Sequence, residues 1–126
     1  GEIIKFIKRV KKNKQKTIKF IKKNVRLGKK IFLYGASTKG NTLLQYYGLT
    51  KKEIPFAAER TKSKWGKYTI GSGIPINSED EARAAQPDYF LVLPWAFFDE
   101  MYAREAEWRA SGGKFIVPFP DFRVVE

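Results

Sequence analysis

Short apolar runs alternate with segments of helical spacing along most of the chain, and this alternation restricts the fold more than any other feature. The runs have the composition of buried strands: KIFLYG (30–35), IPFAAER (54–60), GIPI (73–76), DYFLVLP (88–94) and KFIVPFP (114–120). Apolar strands separated by helices are typical of a parallel sheet that is covered on both faces. We therefore expect an α/β fold with three layers and a parallel sheet of about five strands, in the order 3-2-1-4-5.

Three helices are predicted between these strands. The first, KGNTLLQYYGL, is expected to end at Gly48, a residue suited to a helix C-cap. The second, SEDEARAAQ, begins with a capping box in which the Ser78 side chain accepts a hydrogen bond from the backbone three residues on. The third is predicted as one continuous helix over residues 97–113, which a pair of glycines stops.

A long basic amphipathic helix is predicted before the first strand. Residues 1–30 hold 13 Lys or Arg and one acid, whereas residues 31–126 hold 12 basic and 12 acidic residues, so the net charge of +12 belongs to this segment. The lysine-rich run 11–16 divides the apolar stripe of this helix, so only the second half of the helix is expected to pack on the α/β body. For the first half three alternatives stay open: a solvated helix, contact with a missing upstream domain, or binding to nucleic acid or an anionic membrane surface.

Composition limits the classes of function. A chain of 126 residues suits one domain, which we divide into the basic helix (1–28), an interdomain connection, and an α/β body (29–126). The sequence has no Cys and no His, which excludes the usual zinc sites and Ser-His or Cys-His catalysis. No apolar run is long enough for a membrane span and no signal peptide is evident, so a cytoplasmic protein is expected.

The loop YGASTKGNT (34–42) directly follows the first strand and is the first candidate binding site. In a sheet of this order, ligands bind beyond the carboxyl ends of the strands, near the switch point between the first and fourth strands. Gly35 lets the backbone approach a ligand, and the amides that follow, together with Lys39, favour an anion. The G-x-x-x-x-G spacing matches neither the dinucleotide fingerprint nor the P-loop well. Spacing alone leaves phosphate binding and a plain strand-to-helix turn both open.

Further residues are expected at the same edge of the sheet. Glu59 follows the second strand, where such folds place an acid on a ribose hydroxyl, and the alternative is a solvated carboxylate paired with Arg60. The basic, glycine-rich segment 60–73 has the composition of a mobile loop that folds over an anion, although its lysines can equally be only solvated. Trp95 follows the fourth strand and suits either stacking on a base or sugar or core packing.

Four blocks of the sequence together resemble a known family. YGASTKGNTLLQYYGL, KWGKYTIGSGIPI, PDYFLVLPWAFFDEM and GGKFIVPFPDFRVV are similar, in order and spacing, to the C-terminal domain of the S-adenosylmethionine-dependent sugar C-methyltransferases. These enzymes methylate a carbon of a nucleotide-linked keto-sugar. The likeness runs from about Leu27 to Val125 and implies a Rossmann-like domain that helps to hold the nucleotide sugar.

The resemblance also implies which residues bind substrate. The positions that match the family's motifs are Gly35, Ala36, Ser37, Lys39, Gly40, Asn41, Lys64 and Trp95. Glu59 and Arg60 are added to this set because of their place at the edge of the sheet. No catalytic or metal-binding residue is expected.

A longer parent protein is a further implication of the resemblance. The family has an N-terminal zinc-binding part and a central domain that binds S-adenosylmethionine and carries the catalytic residues, and the motifs of neither occur in this sequence. A chain that begins with Gly1 is thus expected to be an excised piece with no cofactor of its own. Its expected partners are the upstream domain of the same chain and a nucleotide sugar such as a dTDP-sugar, with no membrane or nucleic acid. The competing hypothesis is a non-catalytic Rossmann-like module whose basic helix docks a protein or polyanion.

Overall fold

The structure is a computed structural model that describes residues 1–93 and 97–126. The helices are α1 (Glu2–Arg26), α2 (Thr38–Tyr47), α3 (Glu79–Ala84), α4 (Phe98–Arg104) and α5 (Ala106–Ala110), with a 3₁₀ turn at Lys62–Lys64. The strands are β1 (Ile31–Tyr34), β2 (Ala57–Glu59), β3 (Ile76–Ser78), β4 (Tyr89–Leu91), β5 (Lys114–Val117) and β6 (Arg123–Val125). In the described part of the chain they form one sheet, in the order β3-β2-β1-β4-β5-β6.

The sheet confirms the predicted α/β fold and the order 3-2-1-4-5. The first five strands are parallel, and β6 is antiparallel to β5. Because β1 pairs with both β2 and β4, the switch point lies at the carboxyl end of β1, where the chain turns into α2. Two apolar clusters cover the faces of the sheet, one built with α1 and α2 and the other with α3, α4 and α5.

Strand β1 shows why the apolar runs are nearly continuous. Successive side chains of a strand point to opposite faces, so Ile31 and Leu33 join the cluster under α1 and α2, while Phe32 and Tyr34 join the other cluster. All four are buried. A central parallel strand with both faces covered therefore has no solvent-facing position for a polar residue.

The helix ends agree with the sequence in two places. The Ser78 Oγ accepts a hydrogen bond from the Glu81 amide at 3.0 Å and begins α3. Gly48 ends α2 in the left-handed conformation, with φ +71°, which glycine adopts at little cost.

Two strand predictions need correction. The third strand is β3 and not residues 73–76, because Ile74 belongs to the preceding turn: its amide donates to the Thr69 Oγ1 at 2.9 Å, and its carbonyl accepts from the Thr69 amide. The fifth strand is not the last, since β6 continues the sheet beyond β5 and makes it a mixed sheet of six strands.

The prediction of one continuous helix over residues 97–113 is wrong, because α4 and α5 are separated at Glu105. This residue has φ −98° and ψ 27°, away from helical values. Its carboxylate accepts from the Arg83 guanidinium and from the Tyr34 hydroxyl, inside the protein. The helix is interrupted where the chain takes part in a buried polar network.

Helix α1 continues through the lysine-rich run and is fixed to the body by polar contacts. The Asn13 side chain donates to the Pro120 carbonyl at 2.7 Å and accepts from the Phe122 amide at 3.2 Å. One turn earlier, Arg9 forms an ion pair with Asp121. Beyond Asn13 the helix packs on the sheet, as expected for its second half.

No helix in the described ranges combines the length and the apolar composition that a membrane crossing requires.

Candidate functional site

A cleft of about 460 Å³ opens at the carboxyl edge of the sheet, beyond the ends of β1 and β2. Helices α3 and α4 form its other walls. A smaller depression of about 220 Å³ shares Glu59, Arg60 and Glu79 with it. The cleft is lined by Tyr34, Gly35, Glu59, Arg60, Thr61, Glu79, Met101 and Arg104. Three of the predicted site residues, Gly35, Glu59 and Arg60, thus meet in one place.

The glycine loop, residues 35–41, leads from β1 to the N-terminus of α2. Gly35 has φ +85°, and its amide donates to the Ala58 carbonyl of β2 at 2.7 Å. Ser37 is the N-cap of α2, since its Oγ accepts from the Gly40 amide at 3.0 Å. The amides of Ser37, Thr38 and Lys39 have no acceptor among the residues that the structure describes. They stand at the positive end of the helix dipole, so within the described part of the chain this loop has donors suited to an anion.

Glu59 is buried and holds the start of the glycine loop in place. Its Oε1 accepts from the Ala36 amide at 2.9 Å, and its Oε2 accepts from the Thr61 amide at 2.9 Å. Burial alone would raise the pKa of this carboxyl, but the Thr61 and Ala36 hydrogen bonds and the Lys64 charge outweigh burial and lower it. Because the carboxylate stays ionised and occupies the Ala36 amide, an incoming anion is left with the amides of residues 37–39.

The basic residues of the predicted site differ in whether their charge is already paired. The Lys64 Nζ donates to the Ala36 carbonyl at 3.2 Å and lies 3.6 Å from the Glu59 Oε1, so Lys64 and not Arg60 is the ion-pair partner that the structure gives Glu59. Lys39, on the first turn of α2, and Arg60, at the cleft, are both exposed. Their charges remain available to a ligand.

Asn41 ties the glycine loop to the segment 60–73. Its Nδ2 donates to the Ile70 carbonyl at 2.8 Å, and its Oδ1 accepts from the Ser72 hydroxyl at 2.9 Å. This side chain therefore orders the neighbouring loop rather than facing the cleft. Trp95, the remaining predicted site residue, lies outside the described residues.

A charged network that sequence reasoning missed forms the floor of the cleft. The Tyr34 hydroxyl donates to the Glu105 Oε2 at 2.5 Å and accepts from the Arg104 Nε at 3.2 Å. Arg104 also donates to Glu79, at 3.1 Å, and Arg83 donates to both Glu79 and Glu105. Burial, and then the hydrogen bond to Glu105, raise the pKa of Tyr34, so its hydroxyl stays protonated. The network joins β1, α3 and α4 and fixes the positions of the groups at the cleft.

One signal in the sequence pointed to this network. Glu105 lies four residues after Met101 and three before Trp108, which puts a carboxylate on the apolar side of the predicted helix. A charged residue is almost never fully buried without a partner. That spacing indicates a buried ion pair, although it does not identify Arg83 or Tyr34 as the partners.

Replacing Gly35 by valine is expected to destabilise the protein by about 1–3 kcal/mol, since a β-branched residue rarely adopts a positive φ. A Cβ at this position would meet no atom within 4 Å, so the cost comes from backbone conformation and not from a clash. Thermal unfolding monitored by circular dichroism measures the effect. Gly35→Asn is the matched control, because asparagine tolerates the left-handed region and should cost clearly less. Equal losses in the two variants would contradict this explanation.

Most of the chain is similar in sequence to known proteins. Residues 2–120 match the family described as the C-methyltransferase C-terminal domain. Over 98 residues, 78% of the chain, the sequence is 45% identical to the C-methyltransferase NovU of Streptomyces niveus. The match covers 23% of that protein, so the chain spans about a quarter of the length of this curated relative.

Proposed function

The chain belongs to the C-methyltransferase C-terminal domain family, and from this premise we propose that it binds and positions a nucleotide-linked sugar for methyl transfer. The transfer itself is assigned to an upstream domain of the same polypeptide that binds S-adenosylmethionine. The observation that carries the proposal is the group of amides of residues 37–39, which have no acceptor among the described residues and lie at the switch point of the sheet beside Lys39.

The diphosphate is placed on the glycine loop. The amides of Ser37, Thr38 and Lys39 supply hydrogen bonds and the positive end of α2, and Lys39 adds a full charge close to them. Lys64 donates to the Ala36 carbonyl at the start of the loop, and its charge is paired with Glu59. The exposed charge of Lys39 beside these donor amides forms a suitable environment for an anionic group.

The sugar and nucleoside are placed toward the cleft. Its polar lining includes the Glu59 and Glu79 carboxylates and the Arg60 and Arg104 guanidinium groups, which together can accept from and donate to hydroxyl groups. The Glu59 carboxylate keeps lone pairs beyond the bonds from Ala36 and Thr61 and is suited to a ribose hydroxyl. Because the Glu59 carboxylate is ionised at neutral pH, it can accept a hydrogen bond from such a hydroxyl but has no proton to donate.

Positioning, and not proton transfer, is the role that this site supports. A general acid or base works best with a pKa near the working pH. The pKa values of Glu59 and Glu105 are lowered, in spite of burial, by hydrogen bonds, and burial raises the pKa of Tyr34. These shifts all lead away from neutrality. Holding the substrate in the geometry of attack is itself a large contribution to rate. The competing hypothesis of a non-catalytic docking module is not favoured by the family match.

Replacing Lys39 by alanine is expected to weaken dTDP binding by about fivefold, since one solvent-exposed charge contributes about 1 kcal/mol. The melting temperature should not change, because Lys39 is exposed. Calorimetric titration of the chain with dTDP measures the affinity. Lys52→Ala, which removes another exposed lysine after the end of α2, is the control and should bind as the original chain does. Equal affinities for both variants would argue against the placement of the diphosphate.

The coding sequence upstream of Gly1 tests the proposed domain arrangement independently. A set of zinc-type cysteines followed by a glycine-rich methyltransferase motif is expected there. A start codon immediately before Gly1 would contradict the assignment of methyl transfer to an upstream domain.

A further inference from the structure

The first two turns of α1 carry an apolar surface that the body does not cover. We call residues 2–8 the arm. Four large apolar side chains of the arm are exposed: Ile3 (76%), Ile4 (58%), Phe6 (60%) and Ile7 (46%). In the rest of the helix the buried positions are Asn13, Thr17, Ile21 and Asn24. Solvated helices seldom concentrate so many large apolar residues in five positions, so this surface requires an explanation.

The exposed stripe continues the side of α1 that packs on the body. Steps of three and four residues lead back from Asn13 through Val10 to Phe6, Ile7 and Ile3, and residues so spaced share a helix face. Lys5 and Lys8 fall on the opposite side. The arm therefore has the amphipathic pattern of a helix that packs on protein, and the body ends before reaching it.

The arm lies at the same edge of the sheet as the cleft. Arg9 and Asn13 contact Asp121 and Pro120, which follow the carboxyl end of β5. Because α1 ends before the amino end of β1, it runs from the carboxyl edge toward the amino edge, and the arm precedes the contact at Asp121. From Glu2 to Arg9 a helix extends about 10 Å, at about 1.5 Å per residue.

We infer that the apolar face of the arm is the docking surface for the catalytic domain of the same polypeptide, which it seats over the carboxyl edge of the sheet. About three quarters of the relative NovU lies outside the matched region, so a longer polypeptide of this family has a large domain to place. Residues before Gly1 would continue directly from the arm, and a short tether gives the attached domain a high effective concentration at this surface. The rim of that domain should be acidic, because the polar side of the arm carries lysines.

The placement explains how a domain to which we assign substrate positioning contributes to the reaction. A rigid helix, held by the Asn13 contacts and the Arg9–Asp121 ion pair, would set the distance between the two domains. The catalytic domain would then face the edge at which the cleft opens. This inference rests on the proposed upstream domain but not on the identity of the ligand.

Hydrogen exchange tests the inference in the longer polypeptide. Amides of residues 2–8 are expected to exchange at least tenfold more slowly when the chain is joined to its upstream domain than in the chain alone. Ile3→Gln/Ile7→Gln should abolish this slowing and lower methyl transfer at least tenfold, while dTDP affinity stays unchanged. Glutamine keeps helix propensity, so loss of the helix does not explain the result.

The matched control is Lys5→Gln/Lys8→Gln, on the opposite side of the arm. It should retain most of the slowing of exchange. If the lysine pair and not the isoleucine pair removed it, the occupant would bind the polar side of the arm and not its apolar face, and the inference would be wrong. Equal exchange with and without the upstream domain would also overturn it, as would a dimer of the chain that Ile3→Gln/Ile7→Gln dissociates. Failure of dTDP binding in every variant would instead count against the proposed function.

Discussion

Replacing Glu105 by alanine is expected to lower the free energy of unfolding by about 3 kcal/mol, because it removes the buried carboxylate to which both the Arg83 guanidinium and the Tyr34 hydroxyl donate. The Glu105 side chain is 1% exposed and accepts three hydrogen bonds, two from Arg83 at 2.8 and 2.6 Å and one from the Tyr34 hydroxyl at 2.5 Å. Urea unfolding at neutral pH measures the loss. Glu107→Ala, two residues away with an exposed side chain, is the control and should change stability by less than about 0.5 kcal/mol.

The contribution of Glu105 to the free energy of unfolding should also depend on pH. Burial alone would raise its pKa, but the hydrogen bonds from Arg83 and Tyr34 outweigh burial and lower it. A carboxyl with a lowered pKa in the folded state stabilises fully above its unfolded pKa of about 4.3 and loses this contribution as the pH falls through the folded value. The stability difference between the original chain and Glu105→Ala should therefore be constant near neutrality and shrink below about pH 4. A difference that grows on acidification would contradict the ion pair.

Replacing Trp108 by alanine should cost about 3–5 kcal/mol as well, for a different reason. The indole is 7% exposed, its ring centroid lies 4.6 Å from that of Phe90 and 5.1 Å from that of Phe115, and its Nε1 donates to the Pro87 carbonyl at 2.8 Å. Alanine would leave a cavity in the cluster under α4 and α5 and an unpaired carbonyl. The melting temperature measures the loss.

Trp65→Ala is the control for that variant. Trp65 also donates its Nε1 to a backbone carbonyl, that of Glu59, but it is 37% exposed. Its replacement removes a similar hydrogen bond without a comparable cavity and should cost about 1 kcal/mol. Similar losses for the two tryptophans would mean that the hydrogen bonds, and not the packing of Trp108, account for the effect.

The parallel strands could be predicted because the pattern that marks them is local and repeated along the chain. Strands buried on both faces must be apolar along their whole length, as β1 is, and parallel strands need helices between them. The helix caps at Ser78 and Gly48 could be predicted equally well, since each depends on a few neighbouring residues. The strand β6 was missed because a three-residue edge strand, exposed at Arg123 and Val124, has no distinctive apolar pattern.

The structure brings several residues of the predicted site to one edge of the sheet, but it pairs them differently from the sequence-based expectation. Glu59 lies at the expected edge, yet its partners are the amides of Ala36 and Thr61 together with Lys64, and spacing offered Arg60 instead. The cleft floor depends on residues from distant parts of the chain, such as Tyr34 and Arg104. Such pairings follow from the way the elements pack, and no local rule of sequence contains them.

Gly113 illustrates the same limit at one residue. Its place at the end of the predicted helix suggested only a stop signal. An ideal Cβ at this position would lie 2.1 Å from the Trp108 ring, so the glycine also makes room for the buried indole. The sequence does not show that the Trp108 ring packs against Gly113, so this role of the glycine could be found only from the structure.

Backbone amide chemical shifts during a titration with dTDP test the central claim most directly. The signals of Ser37, Thr38 and Lys39 are expected to move and to saturate at millimolar ligand, with a smaller response at Glu59 and Thr61. Gly112 and Gly113, which precede β5 at the amino edge of the sheet, should stay unchanged. Unchanged signals at residues 37–39, or shifts of equal size at both edges, would contradict a diphosphate site on the glycine loop.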